Sequence, residues 1–290
     1  MRLLELIERS SDRLAEAAVS FGHGTTNAFD EAAWLTLWRL GLPLDDLDSV
    51  AEHELDIAQC AAVELLVTQR ITSRQPAAYL TGEAWLQGVP FFVDQRAIVP
   101  RSLIAEVLCA GVIDAWLTPE GAGPLRMLDL CTGNGSLAVL AALCWPDAQV
   151  DGTDLSAEAL AVAQRNVARH ALQDRVHLRQ GDGLAAAEGT YDLILCNPPY
   201  VCRASMHTLP PEYRAEPALA LDGGLDGMDF IRPLMTQVAA HLRPGGVLVL
   251  EIGHERVHFE AAFPTLSPLW LSTSAGEDQV LLLTREDLTS

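Results

Sequence analysis

The chain has 290 residues, 49% of them hydrophobic and 20% charged, which excludes disorder as its general state and allows one large domain or two modest ones. Its 39 acidic residues face only 19 basic ones, all arginine, for a formal net charge of -20. That balance argues against a duplex nucleic-acid binder, which neutralises phosphates with clustered cations, and against attachment to an anionic membrane.

Leu3, Leu4, Ile7, Leu14 and Ala18 recur at helical spacing and open a helical region over residues 1–75. After a glycine-rich break at Phe21–Thr25, Asp30 is placed to cap a short helix carrying Trp34, Leu37 and Trp38, ended by Gly41 and Pro43. The two tryptophans, one helical turn apart, suit either a core or a docking face. The acidic stretch Asp45–Asp56 is either a solvated face or a dock for a basic partner. A third helix is expected from Asp56 to Arg74, stopping before Pro76. Tyr79, Trp85, Phe91, Phe92 and Val93, interrupted by Gly82, Gly88 and Pro90, indicate a hairpin or extended connector. From about residue 100, helical stretches alternate with short apolar runs at Arg126–Leu130, Gln149–Gly152, Val176–Leu178, Tyr191–Cys196 and Gly246–Ile252. Such alternation predicts buried strands in a parallel, doubly wound α/β sheet. The expected division is a helical region over 1–77, a connector over 78–99 and an α/β domain over 100–290. Six cysteines without a C-x-x-C pair, no signal-peptide core and no apolar run of about 18 residues point to free thiols in the cytoplasm.

Two segments carry chemistry. In the first, Met127–Ala138, an apolar strand enters a turn of small residues, Cys131-Thr132-Gly133-Asn134-Gly135, and leaves as a helix. Glycines there let backbone approach a ligand above a helix N-terminus. Asp154, 21 residues after Gly133, ends the next strand, where its carboxylate can accept ribose hydroxyls. An adenosine-containing cofactor follows, either a nicotinamide dinucleotide or S-adenosyl-L-methionine (AdoMet), the latter with Asp129 beneath the turn near the methionine end. Asp182, in Gly181-Asp182-Gly183, is positioned to accept from an adenine amino group.

The second segment decides between them. Asn197-Pro198-Pro199-Tyr200 lies just past an apolar strand, at the edge where α/β sheets bind ligands. The prolines remove two backbone donors, so the Asn197 side-chain oxygen and the Pro198 carbonyl can accept both hydrogens of a planar –NH2 group. Tyr200 offers a face for stacking. Methyl transfer to an amide or aromatic amine suits this device; hydride transfer leaves it unexplained.

Together with Glu216-Pro217-Ala218 and Asp222-Gly223-Gly224-Leu225-Asp226-Gly227, these segments resemble the class I AdoMet-dependent N5-glutamine methyltransferases over nearly the whole chain. The resemblance implies a Rossmann-like, mostly parallel seven-stranded sheet and a small N-terminal helical domain for substrate recognition. It also implies methylation of a glutamine side chain in a translation protein. Phe21-Gly22-His23-Gly24-Thr25, Pro100-Arg101-Ser102 and Asp129-Leu130-Cys131-Thr132-Gly133 resemble the branch acting on large-subunit ribosomal protein L-three. Peptide-chain release factors are the alternative substrate. A DNA adenine N6-methyltransferase, which uses the same Asn-Pro-Pro-Tyr device on a flipped base, would need a basic channel that this sequence lacks. The implied site is Asn197, Pro198, Pro199 and Tyr200 for the amide, with Asp129, Cys131, Thr132, Gly133, Asn134, Gly135, Asp154, Asp182, Gly183 and Asn197 around the cofactor. A basic ribosomal protein is the implied partner.

His254-Glu255-Arg256-Val257-His258 spells the zinc-protease pattern H-E-x-x-H. It directly follows a strand instead of lying within an established helix, so it reads as a loop or helix start, and no metal is expected.

Overall fold

The amphipathic stripe at the N-terminus folds as expected. In the computed structural model, which describes residues 1–117 and 123–289, α1 (Leu3–Glu16) buries Leu3, Leu6, Ile7 and Leu14. They pack against α2 (Ala28–Leu40) and α4 (Ile57–Ser73), with the single turn α3 (Leu47–Val50) between. The cap of α2 is Asn27, not Asp30. The Asn27 side-chain oxygen accepts from the Asp30 backbone N–H at 2.9 Å, while Asp30 sits in the first turn and accepts from the Asn27 amide at 2.6 Å. Asn thus takes the position where a side-chain acceptor satisfies an orphan N–H, and Asp30 supplies the negative charge favoured at a helix start. Gly41 closes α2 at a φ of 66°, and Asp56 with Gln59 forms a capping box on α4.

A short helix α5 (Ala77–Thr81) leads into the hairpin β1 (Glu83–Leu86) and β2 (Val89–Phe92). Then come α6 (Ile104–Cys109) and a regular alternation. It comprises β3 (Arg126–Leu130), α7 (Ser136–Cys144), β4 (Gln149–Asp154), α8 (Ala157–Arg169), β5 (Val176–Gln180) and β6 (Tyr191–Cys196). A one-turn helix α9 (Arg203–Met206) precedes α10 (Ile231–His241), β7 (Leu242–Glu251), α11 (Arg256–Ala262), β8 (Leu269–Thr273) and β9 (Gly276–Thr284). The expected α/β region of residues 100–290 includes 118–122 and 290, which lie outside the described residues.

Seven strands form one sheet in the order β5-β4-β3-β6-β7-β9-β8. The first five are parallel, and β9 and β8 close the edge antiparallel. The sheet is covered on both faces. Met127, Val150, Leu193 and Val249 face a core shared with α6 and α7, while Leu128, Ile194 and Leu248 face one shared with α10 and α11. Burial on both faces makes these strands continuous apolar runs instead of alternating ones. The fold is the class I methyltransferase arrangement expected from the sequence; the antiparallel pair β8–β9 completes the expected seven strands and lies outside the five apolar runs singled out above.

Among the described residues no helix is long and apolar enough to cross a membrane. All six cysteines are free.

Candidate active site

Strand order reverses between β3 and β4 on one side and β6 on the other, and a pocket opens there at the C-terminal ends of the strands. Of the residues singled out in sequence, Cys131, Gly133, Asp154, Asp182, Gly183, Asn197 and Pro199 line it. The structure therefore brings together both chemistry-bearing segments, although 64 positions separate Gly133 from Asn197.

The turn after β3 is held from beneath. Cys131, Gly133 and Gly135 all adopt left-handed backbone, with φ of 61°, 55° and 80°. A Cβ on Gly135 would stand 3.0 Å from that of Ala163, so only glycine lets the turn rest on α8. Asp129 lies behind the turn and outside the pocket lining. It is 1% exposed, and one carboxylate oxygen accepts from the Thr132 hydroxyl at 2.5 Å and the Ala138 N–H at 2.9 Å. Burial raises its pKa to about 7 against the pull of those two bonds. Thr132 and Asn134, within the turn, are likewise buried. The Asn134 carbonyl accepts from buried Asn166 at 2.8 Å, and Asn166 also pairs with the Phe92 backbone at 2.7 and 2.9 Å. The hairpin is thereby tied to the turn through α8.

Asp154 faces the pocket. Its oxygens accept from Gly133 N–H at 2.9 Å and Ser156 N–H at 2.8 Å, and burial raises its pKa against these bonds. Each carboxylate oxygen has two lone pairs, so both retain capacity for a ligand hydroxyl. Asp182 and Gly183 also line it, with the Phe230 ring beside Gly183. Small glycine turns, an apolar ring and a carboxylate at a strand end fit an adenosine group.

Beyond β6, Asn197 and Pro199 line the pocket while Pro198 is buried. The Tyr200 hydroxyl donates to Glu251 at 3.2 Å. Glu251 is 3% exposed and accepts also from the Ser102 hydroxyl at 2.6 Å and Leu103 N–H at 2.9 Å. Burial first, then the Glu251 charge, pushes the Tyr200 pKa up, which keeps the phenol neutral. The segment after Tyr200 returns onto it. Val201 exchanges backbone bonds with Leu221 and Gly223 at 2.9 Å each, and a Cβ on Gly223 would meet the Tyr200 backbone at 2.7 Å. The Asp222–Gly227 glycines thus let this loop close on Asn197–Tyr200.

Sequence reasoning missed several residues here. Arg96, Ala97 and Ile98 of the connector line the pocket, as do Pro217, Leu219 and Ala220. It also missed a buried ionic seam between the helical region and this loop. Glu216 accepts from both Arg101 guanidinium nitrogens at 2.6 and 2.7 Å and from Val99 N–H at 2.9 Å, with His23 Nε2 3.4 Å away. Arg70, fully buried, reaches Glu31 at 2.8 Å, Glu212 at 3.3 Å and the Ser20 carbonyl at 3.0 Å, and Arg74 lies 2.8 Å from Glu212. His23, Arg101 and Glu216 all stand in segments that carried the family resemblance. Nothing in the sequence paired them.

His254–His258 lies at the start of α11, where His258 Nδ1 is 2.6 Å from Glu255 and Glu255 also accepts from Cys202 N–H at 3.4 Å.

Residues 119–209 match the family model described as methyltransferase small domain. A ribosomal protein uL3 glutamine methyltransferase of Bordetella pertussis is 54% identical over 99% of this chain and 96% of its own length. Namesakes from Burkholderia pseudomallei and Neisseria meningitidis are 46% and 45% identical, each over 98% of this chain and at least 93% of their own lengths. Among solved structures, the hMettl16 catalytic domain shares the fold, at 13% identity with a TM-score of 0.52 over 79% of this chain and 81% of that one. With likeness of this extent running from end to end, the chain belongs to the ribosomal protein uL3 glutamine methyltransferase family.

Proposed function

We infer that this protein transfers a methyl group from AdoMet to the side-chain amide nitrogen of a glutamine in large-subunit ribosomal protein uL3. The products are N5-methylglutamine, S-adenosyl-L-homocysteine and a proton, which leaves the amide nitrogen after transfer. The observation that carries the reading is that Asn197 and Pro199 line the same pocket as Gly133, Asp154 and Asp182. An amide acceptor and an adenosine cradle therefore share one space. The names of the relatives supply the substrate.

An amide nitrogen is a poor nucleophile because its lone pair is delocalised into the carbonyl. AdoMet supplies an electrophilic methyl on a sulfonium. In this reading Asn197 Oδ1 and the Pro198 carbonyl accept the two amide hydrogens, which orients the nitrogen and stabilises the positive charge that develops on it. Tyr200 packs against the amide plane, its ring held by the hydroxyl bond to Glu251. Asp154 holds the ribose and Asp182 the adenine amino group, with Cys131, Gly133 and Gly183 close to the cofactor. Asp129, Thr132, Asn134 and Gly135 act through the turn they shape. Residues 1–77 recognise the protein substrate, 78–99 connect, and 100–290 carry the reaction, in the cytoplasm where ribosomal proteins are made.

Purified enzyme is incubated with methyl-labelled AdoMet and either uL3 or release factors. Label is expected on uL3, lost in Asn197→Ala by about 10²-fold or more while AdoMet still binds. Label on release factors alone, or full activity of Asn197→Ala, overturns the reading.

A further inference from the structure

A second cleft, of about 560 Å³, opens on the helical region, and the reaction does not use it. Its walls include Phe29, Asp30 and Trp34 of α2, Thr25 before that helix, Asp45 after it, and Trp85 of the hairpin. Phe29 and Trp85 are 38% and 44% exposed, large apolar side chains left facing water. No arginine lines the cleft, and the chain contains no lysine, so its charge comes from Asp30 and Asp45 alone. The indole N–H of Trp34 is buried without an acceptor.

Two walls of the cleft belong to segments that also reach the reaction site. Thr25 follows His23, which lies 3.4 Å from Glu216, and Trp85 lies on the hairpin whose continuation, Arg96–Ile98, lines the cofactor pocket. The cleft and the reaction pocket are thus walled in part by connected stretches of chain.

We propose that this cleft docks a Lys- or Arg-bearing segment of the protein substrate, distinct from the glutamine that is methylated. A cationic side chain lies across the Trp85 and Phe29 rings between Asp30 and Asp45. The occupant is chosen by charge. Aromatic faces with carboxylates beside them select a cation, and a protein that binds ribosomal RNA is rich in Lys and Arg for the sake of its phosphates. The proposal rests on uL3 being the substrate. It also gives the Phe21–Thr25 segment a role in substrate choice, as part of the wall that sorts one basic substrate from another.

The test uses three variants at exposed positions, Trp85→Ala, Phe29→Ser and Asp45→Arg, with purified uL3. Each variant should raise both the dissociation constant and the KM for uL3 by about tenfold, with kcat and AdoMet affinity within about twofold of wild type, as for loss of an interface anchor. Added salt should weaken uL3 binding to wild type more than to Asp45→Arg. Unchanged melting temperatures exclude a folding defect. Affinity for uL3 that is the same in all four proteins, or undetectable in wild type, overturns the docking proposal. The reaction assignment is judged separately, by whether wild type labels uL3.

Discussion

Replacing Glu216 with Gln tests the ionic seam quantitatively. The carboxylate is 5% exposed and holds Arg101 through two bonds of 2.6 and 2.7 Å. Burial alone would raise its pKa; the charge and hydrogen bonds of Arg101, with His23 beside them, outweigh that and bring it from 4.5 down to about 2. A depression of that size corresponds to about 3 kcal/mol of stability. Because the folded pKa is lowered, this contribution is fully present above about pH 4.5 and is lost as pH falls towards 2. A second route agrees. Removing one partner of a buried pair costs about 3–5 kcal/mol, and Arg101, a quarter exposed, can recover some hydration, which selects the lower end. Glu216→Gln is therefore expected to lose about 3 kcal/mol at pH 7, read from urea unfolding, with the gap to wild type closing as pH falls from 4.5 towards 2. A loss below about 1 kcal/mol, or a gap that does not change with pH, would refute the reasoning.

Gly253→Ala should act on catalysis. Gly253 has φ of 52°, and a Cβ there would stand 2.5 Å from the Tyr200 ring. Besides about 1–2 kcal/mol of backbone strain, the displaced ring should lower kcat for uL3 by about 10²-fold with AdoMet affinity retained, measured by labelled transfer and calorimetry. Asp129 works in the opposite sense to Glu216. Its pKa is raised from 3.8 to about 7, so folding stability falls by about 4 kcal/mol as pH rises through that window. In Asp129→Asn that slope should vanish from unfolding measured between pH 4 and 8, and its persistence would locate the titration elsewhere. Arg70→Met strands the Glu31 and Glu212 carboxylates, of which Glu212 keeps Arg74. The expected cost is about 3–5 kcal/mol and a melting temperature lower by roughly 10 °C in calorimetry.

What could be read from the sequence followed from local chemistry. β3, β6 and β7 are apolar runs because both faces of each are covered, and Asn197–Tyr200 could be placed because it follows such a run. The same logic loses β8, whose Leu269 is exposed and Trp270 only half-buried, as befits an edge. Asp30 and Asn27 are both good caps, and only the backbone geometry chose between them. At the site, the residues facing the pocket were distinguishable from those behind it only in three dimensions. Asp129 and Asp154 both belong to apolar strands, yet one points under the turn and the other into the pocket. Arg70 and Glu212 are 142 positions apart, and no spacing rule pairs charges over that distance.

The seam also governs how such enzymes can be recombined. Glu212 stands on the strip that follows Asn197–Tyr200 and is answered by Arg70 and Arg74 on the N-terminal side, whereas Glu216 pairs with Arg101 of its own half and meets only His23 across the seam. Neither half carries a balanced set of buried charges when taken alone. A chimera that exchanges residues 1–77 for those of a distant homologue would therefore fail unless the strip around 212–216 travels with them.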